Sequence, residues 1–157
     1  MAAAIDNQFQ FLQDQVTRCD FAAEFRISKI IESTICVAKL RELLYVKSLG
    51  SESELLRNPV KFVRAGAGWG NKQLESGQTA LVFLRWNAGK LTEYPWRGHL
   101  VIEKINGVQC GLFQWPELWN HAELPTLIRE NSMPAPGQSG MTAIKYDALK
   151  HYLKENF

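Results

Sequence analysis

The pair Asn106-Gly107 constrains this chain most, set between K-L-T-E-Y-P-W-R-G-H-L-V-I-E-K-I and V-Q-C-G-L-F-Q-W. Both residues tolerate the positive φ that a two-residue type I′ turn demands, so the pair predicts a β-hairpin. A two-residue loop also dictates register. Ile105 should face Val108, Glu103 Cys110, Val101 Leu112 and His99 Gln114, with Lys104–Gln109, Ile102–Gly111 and Leu100–Phe113 on the opposite face. Apolar residues fall on both faces, which predicts cover by sheet curvature on one side and by a helix or loop on the other. Upstream, T-A-L-V-F-L-R-W (Thr79 to Trp86) followed by N-A-G adds a third apolar strand. The fold class that follows is β-rich α+β, a curved antiparallel sheet or a small barrel with N-terminal and C-terminal helices.

A chain of 157 residues suits one domain, spanning 1–157, able to bury roughly 70% of its unfolded surface. Ile5, Phe9, Leu12 and Val16 recur at helical spacing, so residues 1–24 read as a helical N-terminal extension. Between Phe25 and Lys47 helical and extended periods compete. The branched residues of Thr34 to Ala38 favour a strand over Ser33 to Leu40, and the remainder stays open. Val60 to Arg64 reads as a short strand beside Pro59, and Ala65 to Lys72 as a glycine-rich loop displaying Trp69. Pro116 suits the start of a short helix through Ala122. Residues 131–140, rich in Pro, Gly and Ser, read as an exposed loop. Thr142 to Tyr146 suits a last strand. Asp147 is placed to N-cap a terminal helix over 147–156 that turns Leu149, Tyr152 and Leu153 inward.

The formal net charge is +2, with Lys and Arg scattered along the chain, whereas a dedicated nucleic-acid binder usually carries a basic stripe. Cys19, Cys36 and Cys110 are odd in number and far apart, with no C-x-x-C pair. They are expected to be reduced, buried thiols of a cytoplasmic protein. The N-terminus lacks the charged and apolar regions of a signal peptide, and no run of about 18 apolar residues predicts a membrane span.

The order of segments from Thr34 to Trp115 resembles small Greek-key barrels of the OB type, in particular the netrin-like and metalloproteinase-inhibitor-like branch. T-I-C-V-A-K-L stands as an opening strand, V-K-F-V as a second, then L-E-S-G-Q-T-A-L-V-F-L and the Asn106-Gly107 hairpin. The resemblance covers about half the chain and implies an OB-like barrel. It transfers no functional residue, and the disulfides of the secreted members have no counterpart.

Chemistry is harder to find. The loop Gly66-Ala67-Gly68-Trp69-Gly70 lacks the following helix and the Gly-Lys-Ser/Thr that a phosphate cradle needs. His99, His121 and His151 have no metal-ligand spacing. Cys36 and Cys110 lie in apolar strands without a catalytic context, and acids such as Glu93 and Glu117 cannot be paired by sequence. No cofactor and no metal are expected. The five tryptophans stand out. Trp69, Trp86, Trp96, Trp115 and Trp119, with Arg97 and His121, suit either plugs for the ends of a barrel or a binding rim. Arg64 and Arg85 lie nearby, and such rims are enriched in Trp and Arg at protein hot spots. The expected function is therefore a non-catalytic protein-binding module, for example a cytoplasmic inhibitor or immunity-type protein. An OB-like binder of single-stranded nucleic acid, where aromatics stack on bases, is the alternative, and an enzyme with an unrecognised site the second.

Overall fold

The computed structural model describes residues 16–47, 59–66, 72–95, 98–113, 126–137 and 142–156. The described elements are β1 (Phe21–Ile31), β2 (Ile35–Val46), β3 (Val60–Val63), β4 (Thr79–Asn87), β5 (Lys90–Glu93), β6 (His99–Ile105) and β7 (Val108–Phe113), then α1 (Thr126–Glu130), β8 (Ser132–Pro134), β9 (Thr142–Lys145) and α2 (Tyr146–Asn156). β1 pairs with both β2 and β4, so β1-β2-β3-β5-β4 close into a five-stranded barrel. All its ladders are antiparallel except β3 with β5.

The sheet branches at β4. Its Ala80–Val82 segment pairs with β6, which leads out to β7, β9 and β8, while its Leu84–Asn87 segment pairs with β5 inside the barrel. Ala80, Val82 and Leu84 point into the barrel core with Phe21, Phe25, Ile27 and Phe62. Leu81 and Phe83 point the other way, into a second core with Leu100, Ile102, Ile144 and the α2 residues Tyr146, Leu149 and Leu153. Because alternate residues serve different cores, five consecutive β4 residues, Ala80 to Leu84, are buried.

The hairpin register holds as the turn dictates for every pair between Val101↔Leu112 and Ile105↔Val108. Asn106 and Gly107 sit at φ 52° and 80°, both in the left-handed region of a type I′ turn. Gly107→Val is expected to destabilise by about 1–3 kcal/mol, the strain of a branched residue at positive φ. An unchanged melting temperature would show that the turn does not need it. The expected cover is present as well, with α2 lying over Leu100 and Ile102.

Four expectations are corrected by the structure. Strand β1 begins at Phe21, inside the span read as a helical extension, although residues 16–18 are helical. Phe21, Ala23 and Phe25 enter one core while Ala22 enters the other, so small residues mask a strand buried on both faces. The segment 25–47 is a hairpin of two long strands. Its turn holds Glu32 and Ser33 at positive φ, a conformation that neither residue type favours. Consequently T-I-C-V-A-K-L belongs to the second strand of the barrel and V-K-F-V is the third. The span 131–140 contains edge strand β8 and the buried Ala135, and Pro134 is tolerated because an edge strand needs no donor there. Asp147 lies within the first turn of α2, its side chain 99% exposed, and does not cap it. The proposed helix of 116–122 lies outside the described residues.

Helix α2 ties the β1–β2 hairpin to the extension. The Tyr146 hydroxyl donates to Glu24 Oε1 at 2.9 Å, and Lys150 and Lys154 reach the Glu42 carboxylate at 3.3 and 2.7 Å. The Lys154 hydrogen bond, then that of Lys150, holds the Glu42 carboxyl below its ordinary range against the opposing effect of burial. Among the described residues no helix is long and apolar enough to cross a membrane.

Candidate functional site

Strands β3 and β5 meet through one backbone pairing, Val63 with Thr92. Toward Val60 and Lys90 they are unpaired, and a cleft of about 400 Å³ opens in this seam. Val60, Phe62 and Leu91, all buried, form its floor, and Pro59 and Gly89 stand at its edge. Lys61 and Lys90 line it too, and among the described residues no carboxylate does.

Trp86 forms the remaining wall. It is the next residue after Ala80, Val82 and Leu84 on the inward face of β4, but it lies where the barrel ends, so its ring is 36% exposed. The β4–β5 turn holds Ala88 and Gly89 at φ 53° and 78°, which sets Trp86 opposite Leu91. The Trp86 backbone N–H donates to Asp20 Oδ2 at 2.8 Å. Its ring meets Phe21 edge to face, centroids 6.4 Å apart. The Trp86 backbone is therefore anchored by Asp20 and its indole packed on one side by Phe21, while the ring also lines the cleft.

Register collects cations around this cleft. Two residues before the Val63↔Thr92 pair, Lys61 and Lys90 stand level with each other on the outer face. Lys61 pairs across β3–β2 with Val37, and Val37 pairs across β2–β1 with Lys29. Lys39, diagonal to Lys61, stands directly opposite Arg26. All five cations are exposed. Arg26 reaches the Thr79 hydroxyl at 3.5 Å, and among the described residues none of the five has a carboxylate partner. Like charges facing each other across a sheet are destabilising. Of the three carboxylates of this hairpin, Glu32 lies exposed in the turn, while Glu24 and Glu42 are engaged elsewhere by Arg41, Tyr146, Lys150 and Lys154.

The far end of the barrel is sealed differently. Glu93, fully buried, accepts the Ala65 N–H at 3.0 Å and faces His99 Nδ1 at 2.6 Å. His99 Nε2 is buried with no partner. Gly98 has no room for a Cβ, which would run into Tyr94 O and the Glu93 side chain.

Protein-family models, curated proteins and solved structures were compared with the chain, and none matches.

Of the predicted rim, the structure describes Trp86 alone. Trp69, Trp96, Arg97, Trp115, Trp119 and His121 lie outside the described residues. Arg64 is occupied as a strap, donating to Ser33 O at 3.0 Å and Leu74 O at 2.5 Å, and Arg85 lies over the Tyr94 ring. Sequence reasoning missed the lysines. Alternation in V-K-F-V marks Lys61 as outward, but only strand order reveals its neighbours.

Among the described residues no three metal-ligating side chains converge. Cys19, Cys36 and Cys110 are free and buried. Burial pushes the Cys19 and Cys36 thiols up to about 12, and the Cys110 thiol rises for the same reason. A thiol so protonated is a poor nucleophile at neutral pH. A chromogenic disulfide reagent is expected to titrate no thiol rapidly in native protein and three after denaturation without reductant. Fast labelling before unfolding would contradict the burial.

Proposed function

We propose that this chain is a non-catalytic binder of single-stranded nucleic acid and that its barrel is of the OB type. The carrying observation is the row of cations, without a carboxylate partner among the described residues, that crosses β1, β2 and β3 to a cleft walled by an exposed indole. Strand order supports the fold assignment, since a five-stranded Greek-key barrel takes oligonucleotides on the face of its second and third strands, between the first–second and fourth–fifth turns. The cleft occupies that face, from Ile35 beside the β1–β2 turn, across Val60–Val63, to Gly89 in the β4–β5 turn. Such barrels also take oligosaccharides, but lysines that have no carboxylate partner among the described residues favour a polyanion. A cationic groove with an aromatic platform is the general design for single strands. The three free thiols support a reducing, cytoplasmic setting.

The test is anisotropy of a labelled oligothymidylate at several salt concentrations. Affinity should fall as salt rises, with a log–log slope no steeper than about −3.5, the limit for five phosphates at ~0.7 each. Absence of binding in low salt would reject the proposal. A second reading, a protein-binding module of the inhibitor or immunity type, is supported by the exposed, fixed Trp86, a hot-spot residue type. It is favoured if a protein partner binds through Trp86 with little dependence on salt.

A further inference from the structure

Resting on the nucleic-acid reading, we infer that the protein reads one base: a single unstacked base enters the cleft against Trp86, and the phosphate beside it lies between Lys61 and Lys90. The cleft is a dead end, because the Val63–Thr92 pairing closes the barrel behind it. At about 400 Å³ it is at the small end of ligand pockets, which run from roughly 300 to 1,000 Å³. That is room for one base with its sugar and not for a stack. Its described lining holds two aromatic rings, of which Phe62 is buried in the floor and Trp86 is exposed.

The rest of the row offers charge without a stacking surface. Between Lys29, Lys39 and Lys61 the outward neighbours are Val37, Ile35 and Val63, and Trp86 is the one aromatic among the exposed large hydrophobic residues described. Nucleotides along that stretch therefore meet the protein through their phosphates. Lys61 and Lys90, level across an open seam with no counter-charge among the described residues, repel one another until an anion sits between them. The strongest phosphate contact thus falls next to the base pocket.

The experiment compares three fluorescein-labelled eight-mers binding the full chain in low salt: oligothymidylate, a fully abasic strand, and an abasic strand carrying one central thymidine. The single thymidine should restore affinity about tenfold or more over the fully abasic strand, the scale of one stacked base. It should come within about fivefold of the oligothymidylate, whose remaining advantage is its choice of registers. Trp86→Ala, verified by its melt, should erase the gap between the abasic strand and the one-thymidine strand while leaving the abasic affinity unchanged. Affinity that climbs with each further thymidine would overturn the one-base inference and leave the nucleic-acid reading standing. A gap that survives Trp86→Ala would overturn it as well, by placing the base elsewhere. If none of the three strands binds, the nucleic-acid reading fails, and this inference with it.

Discussion

Glu93→Ala is expected to cost about 2–5 kcal/mol, since it leaves two buried hydrogen-bonding groups without a partner at about 1–3 kcal/mol each. The Glu93 side chain bonds two groups at once, the Ala65 N–H and His99 Nδ1, and both are left in a dry interior when it goes. His99 Nε2 already lacks a partner, so the imidazole would retain no hydrogen bond. The pair also joins β5 to the first residue of β6, where the extension leaves the barrel, and its loss should loosen both cores together. Against a total stability of about 5–15 kcal/mol for a domain, the variant would stand near the edge of folding. Glu93→Gln keeps a carbonyl acceptor for one donor and should cost distinctly less. Urea unfolding of the three proteins at neutral pH decides the matter. Equal midpoints for Glu93→Ala and the parent would mean that the pair is not integral to the barrel end.

Reversing charge at the cleft, Lys61→Glu with Lys90→Glu, should weaken oligothymidylate binding by about tenfold or more in low salt, since two phosphate attractions become repulsions. Both side chains are exposed and neither has an ion-pair partner among the described residues, so the melting temperature should hold. Surface changes of this kind usually stay within about 0.5 kcal/mol. The salt slope should become shallower by about 0.7 for each phosphate that is no longer neutralised. A control reversal outside the barrel, Lys104→Glu at the exposed end of the β6–β7 hairpin, should leave affinity close to the parent's. If the double variant binds like the parent, the seam is not the site. If the control weakens binding equally, attraction depends on net charge and not on the row.

By itself the sequence determined what short-range chemistry controls. Asn106-Gly107 prefers positive φ, and a two-residue loop leaves one register, so the β6–β7 hairpin was legible pair by pair. Leu149, Tyr152 and Leu153 carried a helical period, and α2 buries them. Glu32 and Ser33 adopt the same backbone region without any residue preference for it. That turn is imposed by the strands it joins, and the β1–β2 hairpin was therefore hidden. Glu93 and His99 lie six residues apart but read as unrelated polar groups, because their meeting depends on β5 and β6 diverging from the two halves of β4. The site depended on tertiary structure most of all. Alternation tells which way Lys29, Lys39, Lys61 and Lys90 point, but not which strand lies beside which. Only closure of the barrel, through a parallel pairing between Val63 and Thr92, converts lysines scattered along the chain into a row. The physical reason is that strand order is selected by burial of the whole core, a long-range free energy that no local pattern encodes.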